Sequence, residues 1–196
     1  MEQTGRKPRV RRDPQTTRAL ILDTTERLMV EEGYAAVSTR RIAQELGLNA
    51  ATIHYYYPAT DDVFVALHQR MTDRQQADLA AALAAPDPLA AFWDLQVAPA
   101  RTALGVEFLA LANHRKALGS RIAAVTDAAR EATSRLLAGS LDDLTVNGAA
   151  LAPPGITALL TAIGRLLANE ERVGITHGHP ELRAFVAALL RRRRSG

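Results

Sequence analysis

Along most of the chain, apolar residues return every three to four positions, the period of a helix with one buried face. The first such stretch opens at Asp13-Pro14, a capping side chain followed by proline at the first helical position. It places Leu20, Ile21, Thr24, Leu28 and Met29 on one face and runs to about Glu32. Gly33 stops it, and Tyr34 stands where the apolar contact of a glycine cap is made. Two short helices are predicted over 39–46 and 50–56, and a long one over 61–84 after Pro58. Asp87-Pro88 repeats the start signal and opens a helix of about ten residues. Further helices read at 100–113, 118–145, 154–172 and 180–194, separated by Pro99, the breakers of 147–155 and the Gly-rich segment 174–179. No alternating β-branched run with a hairpin turn is present, so an all-α chain of about nine helices is expected.

The segment Ser38 to Tyr57 is the most informative. Ser38 or Thr39 caps a short helix whose buried stripe is Ile42, Ala43 and Leu46. Gly47 supplies the positive φ of a sharp turn, Leu48 plugs the corner and Asn49 caps the next helix, which buries Ile53 and Tyr57. Two short helices joined by a three-residue glycine turn match a DNA-binding helix-turn-helix. The exposed face of the second helix is then Ala50, Ala51, Thr52, His54 and Tyr55. Small residues at its start let it sit deep in a major groove, and the polar ones reach phosphates or base edges. Arg40 has the reach for a bidentate contact to guanine. The same pattern also suits a helical corner that packs and touches no DNA.

Charge contributes little. The formal net charge is +3, but residues 1–13 carry +3 and the four arginines of 191–194 carry +4, which leaves 14–190 at −4. The basicity sits at the two ends, so the case for nucleic acid rests on the local motif. The arm Arg6-Lys7-Pro8-Arg9-Val10-Arg11-Arg12 reads equally as a minor-groove arm or a solvated tail. Arg191 to Arg194 suit the negative dipole end of a last helix. With no cysteine, disulfides, zinc-thiolate sites and cysteine nucleophiles are excluded. No apolar run spans a membrane and no apolar segment follows the basic start, so a cytoplasmic protein without membrane contact is expected.

At this point the sequence resembles the tetracycline-repressor (TetR) family of transcriptional regulators. The likeness covers residues 17–67: the helix Ile21 to Met29, then Glu32-Gly33-Tyr34, Ser38 to Ala43, Leu46-Gly47-Leu48 and Thr52 to Pro58, with matching spacing. The resemblance implies a homodimer with two DNA-reading heads and a C-terminal domain holding an effector pocket and the dimer interface. Carried over by position, Arg40, Ala50, Ala51, Thr52, His54 and Tyr55 fall where the family contacts DNA. Two departures stand out. The family commonly has a lysine shortly after the aromatic run, where Ala59-Thr60-Asp61-Asp62 offers no cation and two acids that would repel a nearby phosphate. His54 replaces a frequent tyrosine. The expected organisation is a basic arm at 1–13, a helix-turn-helix domain at 14–60 and a ligand-binding and dimerisation domain at 61–196.

In the C-terminal domain Phe92, Trp93 and Phe108 belong to an apolar stripe that serves equally as core or pocket lining. Polar residues near it are Gln96, Arg101, Asn113, His114 and Asn169. Together these eight are the candidate ligand contacts, and their surroundings suggest a largely hydrophobic effector. Glu170, Glu171, His177 and His179 only superficially resemble metal ligands, since the His-x-His pair lies in a Gly/Pro turn without a fixed carboxylate spacing. No metal and no cofactor are expected. The faces Ile156, Leu159, Leu160, Ile163, Leu166 and Leu167, and Leu182, Phe185, Val186, Leu189 and Leu190, suit either a four-helix dimer interface or the chain's own core. Gly164 and Ala168 would allow close helix approach.

The favoured reading is a repressor released from palindromic double-stranded DNA by a small-molecule effector. The alternative is a DNA-binding regulator without effector. An enzyme is disfavoured, because no phosphate-binding glycine loop, nucleophile elbow or convincing carboxylate pair is present.

Overall fold

The structure is a computed structural model that describes residues 13–141, 145–146, 149–150 and 152–191, with the side chains of 99–102, 140–141 and 145–150 outside the description. The basic arm at 1–12, Arg192 to Arg194 and the Arg101 side chain therefore lie outside the described residues. The elements in order are α1 (Pro14–Glu32), a single 3-10 turn (Tyr34–Ala36), α2 (Thr39–Leu46), α3 (Ala50–Tyr56), α4 (Thr60–Leu83), α5 (Pro88–Gln96), α6 (Pro99–His114), α7 (Lys116–Leu141), α8 (Pro153–Glu171) and α9 (His179–Arg191). Thr145–Val146 pairs antiparallel with Ala149–Ala150, a pairing too short to form a layer.

The helices begin where short polar side chains satisfy otherwise free N–H groups. Asp13 Oδ2 accepts from the Thr16 amide at 3.1 Å and Ser38 Oγ from Arg41 at 3.0 Å. Asn49 Oδ1 accepts from Ala51 at 3.0 Å and Asp87 Oδ1 from Ala90 at 3.1 Å. Each such cap contributes about 1 kcal/mol. At α4 the preceding Ala59 has no side-chain oxygen to offer. Instead Asp62 reaches back to accept from the Ala59 amide at 3.0 Å, and with Asp61 it places negative charge at the positive end of the helix.

The buried face of α1 is turned from the expected one. Thr17, Ile21, Leu22, Thr25, Leu28 and Met29 are buried, while Leu20 and Thr24 are only half-buried. The helix packs against α2, α4 and α6, so its buried stripe is set by three neighbours. Thr25 tolerates burial because its hydroxyl donates to the Ile21 carbonyl at 2.8 Å.

Two apolar cores result. The first joins Ile21, Leu28, Ile42, Ile53 and Phe64 to Phe108 of α6 and Leu118 of α7. The second gathers Leu89, Phe92, Leu137, Ile156, Leu160 and Leu167. α4 enters both, with Phe64 and Leu67 in the first and Leu79 in the second. The core of the N-terminal helices is thus continuous with α6 and α7, across the expected boundary at residue 60.

Much of the α8 face completes the chain's own core: Ile156, Leu160, Ile163 and Leu167 are buried within this chain. Gly164 faces α5 so closely that a Cβ there would lie 2.6 Å from the Gln96 carbonyl oxygen. Leu166 and Phe185 stay exposed. Where α8 meets α9, Gly174 and Gly178 take positive φ of 83° and 84°. Buried His179 places Nε2 2.8 Å from Glu170 and Nδ1 3.4 Å from Glu171, which also accepts from Arg183 at 2.7 Å. This cluster ties the two helices together, and His177 is exposed outside it. No group of three or more residues with metal-binding geometry occurs among the described residues.

Candidate nucleic-acid interface and cavity

The α2–α3 turn follows from one residue. Gly47 adopts φ 61° and ψ 31°, left-handed backbone that costs a side-chain-bearing residue energy. The Leu48 amide then donates back to the Ala43 carbonyl at 2.9 Å and closes the end of α2. Ile42, Ala43, Ile53 and Tyr57 are buried beneath the pair, with Leu46 and Leu48 partly covered. Their burial directs the other face of α3 outward. Ala51, His54 and Tyr55 are exposed, Tyr55 by 80%, and Ala50 and Thr52 are half-buried at its edge.

Arg40 is exposed and, among the described residues, pairs with no acid. Its neighbour Arg41 is committed to Glu32 at 2.9 Å and Glu45 at 2.5 Å. Arg27 likewise holds Glu45, and hydrogen bonds from both arginines keep the Glu45 carboxyl below its ordinary pKa. Of the six residues expected to meet DNA, Arg40, Ala51, His54 and Tyr55 are thus exposed and Ala50 and Thr52 half-buried, and among the described residues Arg40 has no internal partner. His54 is more constrained. Its Nδ1 lies 3.0 Å from the Pro58 carbonyl, which only accepts, so Nδ1 carries the proton. Its Nε2 lies 3.3 Å from the hydroxyl of Thr39, which orients the ring across α2 and α3. Thr39 was legible only as a possible cap; its contact spans 15 positions of chain.

The acids of the α4 start are compensated. Asp61 pairs with Arg115, and Asp62 lies 4.0 Å from Arg121 in addition to its capping bond. The repulsion expected there is offset by cations contributed from beyond α6. The N-terminal helices are also fastened to α6, because Glu107 accepts from the Tyr34 amide at 2.9 Å and His114 stacks on the Tyr34 ring at 6.0 Å.

A cavity of about 150 Å³ lies among α4, α5, α6, α7 and α8. A volume of roughly this order admits a small monocyclic molecule. Of the eight expected ligand contacts, Phe92, Gln96 and Phe108 line it. Trp93 packs half-buried on the second core, Asn113 and His114 lie exposed at the end of α6, and Asn169 is exposed on α8. The lining is apolar for the larger part, as at Leu79, Phe92, Leu95, Phe108, Leu109 and Ile122. α5 and α6 supply apolar walls, but α4, α7 and α8 add His68, Gln75, Arg130 and Arg165. His68 is only 4% exposed and meets Phe108 edge to face at 4.9 Å, and burial lowers its pKa and favours the neutral ring. These four polar residues were missed. No local signal singled them out: Arg165, for one, continues the i, i+4 row of Thr157 and Thr161 along the polar edge of its helix.

This arrangement defines a helix-turn-helix head on a helical body. Residues 21–67 match the model of the bacterial regulatory proteins of the tetR family. Over nearly its full length the chain is similar in fold to several solved regulators. A transcriptional regulator from Pseudomonas aeruginosa is 19% identical with a TM-score of 0.70, covering 94% of this chain and 96% of that one. A TetR-family regulator from Rhodococcus sp. is 14% identical with a TM-score of 0.70, covering 89% and 99%. A regulator from Saccharomonospora viridis in complex with choline is 20% identical with a TM-score of 0.68, covering 88% and 96%. No protein of curated function matches the chain by sequence. The family match is confined to the N-terminal helices that carry the helix-turn-helix, and the likeness over the rest of the chain is one of fold. None of its described helices is long and apolar enough to cross a membrane.

Proposed function

We propose that the chain is a ligand-responsive repressor that binds a palindromic operator as a homodimer and is released by a small molecule held in the helical body. One observation carries this reading. α6 lines the cavity with Gly105, Phe108 and Leu109, and the same helix holds the N-terminal helices through Glu107 and the Tyr34 amide. An occupant that displaces α6 changes the placement of the DNA-reading head, and DNA and effector then oppose each other reciprocally by ~1–3 kcal/mol. Exposed Leu166 and Phe185, on α8 and α9, support pairing of two copies. Two-fold operators need two heads about one helical turn, ~34 Å, apart or a multiple of it. The choline bound by the Saccharomonospora viridis protein supports an effector in a body of this fold, without specifying the one used here.

The test selects genomic fragments bound by the full chain, then measures affinity for the selected site by fluorescence anisotropy with and without a library of small molecules. At least one compound should weaken operator binding by about five- to 150-fold. A chain that binds its site with unchanged affinity across the library supports the alternative, a regulator without effector.

A further inference from the structure

We propose that the cavity is a binding site for a small organic oxyanion, a carboxylate or phosphate on a compact apolar body, held by Arg165 with His68 as hydrogen-bonding partner. The inference rests on the reading of the cavity as the effector site and names the class of ligand it takes.

Charge is the first support. Arg165 and Arg130 both line the cavity and, among the described residues, no carboxylate does. Among the described residues neither arginine has an ion-pair or hydrogen-bond partner, whereas Arg27, Arg41, Arg70, Arg115 and Arg183 all do. Like charges facing one space repel each other, and Arg165, half-buried where Arg130 is exposed, is also costly to desolvate. Burial first, and Arg130 second, pull the Arg165 pKa down from its ordinary value. An anion placed between them relieves both costs, and the guanidinium fork fits two oxygens of a carboxylate or phosphate.

Hydrogen-bonding capacity is the second. His68 is nine-tenths buried, lines the cavity, and neither ring nitrogen has a protein partner among the described residues. Its packing against Phe108 accounts for the ring face and leaves the polar edge unused. Buried polar atoms normally find a partner, so an unpartnered imidazole on a cavity wall indicates one that arrives with the ligand. Gln75, Gln96 and Thr161 add further donors without protein partners among the described residues, whereas Thr126, Thr133 and Thr157 already donate to carbonyls of their own helices. Gln96 is held in place because α5 touches α8 at Gly164.

Shape supplies the third. Leu79, Phe92, Phe108 and Ile122 give the apolar surface against which a ring or short chain rests. The same lining disfavours a quaternary ammonium ligand, which is held by a cage of aromatic faces or by acids. Among the described residues two aromatic rings besides His68 line this cavity, and two cations face it.

The experiment uses the full chain and four probes of similar size: benzoate, phenyl phosphate, neutral benzamide and choline. Binding is measured by calorimetry and by the rise in melting temperature. Benzoate or phenyl phosphate should bind and benzamide and choline should not, and the preferred anion identifies the head group. Arg165→Gln should weaken the anion at least about tenfold, the scale of losing a charge-assisted hydrogen bond. The melting temperature of the ligand-free Arg165→Gln protein should hold or rise, because an unpaired cation has been removed; a residue that merely supports the fold would lower it. Arg165→Lys should restore part of the affinity, and His68→Asn should weaken the anion without abolishing it. Binding of benzamide or choline in preference to the anions, absence of binding by either anion, or equal anion affinity in Arg165→Gln would overturn the proposal. Anion binding that leaves operator affinity unchanged would instead sink the effector reading while leaving the anion site standing. Operator release by a neutral compound, undiminished in Arg165→Gln, would do the reverse.

Discussion

Gly164→Ala sets two effects of known size against each other. In a helix interior the substitution ordinarily stabilises by roughly 0.5–1 kcal/mol, since alanine loses less backbone freedom on folding. At this position the new Cβ would stand 2.6 Å from the Gln96 carbonyl oxygen and 2.7 Å from its carbonyl carbon. These are backbone atoms near the end of α5, and Phe92 of the same helix is fixed in the second core, so relief requires α5 and α8 to separate. Overpacking of this kind costs about 1–3 kcal/mol. The balance is a net loss of up to about 2.5 kcal/mol, or a fall of up to ~10 °C in melting temperature for a chain of this length. Gly139→Ala on α7 is the control, because a Cβ there meets nothing within 4 Å and only the propensity gain remains. Urea denaturation of both variants, read by helical circular dichroism, makes the comparison. If Gly164→Ala matches or exceeds Gly139→Ala in stability, the contact between α5 and α8 is not as close as described and the placement of Gln96 at the cavity falls with it.

Three further outcomes follow from the geometry. Arg40→Ala should cost ~1–3 kcal/mol of affinity at the selected operator and little on random DNA; an equal loss on both, measured by anisotropy, would show a phosphate contact in place of base reading. Glu107→Ala removes the acceptor of the Tyr34 amide, so effector binding should persist in calorimetry while effector-induced operator release shrinks; unchanged release would remove α6 from the coupling route. His68 has a folded-state pKa below its ordinary 6.5, so on acidification the unfolded chain takes up its proton first. Stability is therefore full above about pH 6.5 and is lost as pH falls from there toward the folded pKa, with a slope of at most ~1.4 kcal/mol per pH unit. His68→Gln should flatten that part of the urea-denaturation profile, and an unchanged slope would mean the ring is not held neutral.

What was legible in the chain was local. Asp13-Pro14, Ser38, Gly47, Asn49 and Asp87-Pro88 announce helix starts and the sharp turn, because a cap bonds an amide two or three positions away and a left-handed turn depends on one residue's freedom. The same locality makes the exposed edge of α3 readable: once Ile53 is buried, helical periodicity assigns Ala51, His54 and Tyr55 to the other side. Long-range choices were not legible. The face of α1 was set by three neighbouring helices. The acids at the start of α4 were neutralised by Arg115 and Arg121, more than 50 positions away. The polar wall of the cavity is assembled from α4, α7 and α8, and each of its residues looks in sequence like an ordinary polar position on an amphipathic helix. Periodicity specifies that a helix has a buried side; only the packing of five helices decides whether that side meets another side chain or a cavity.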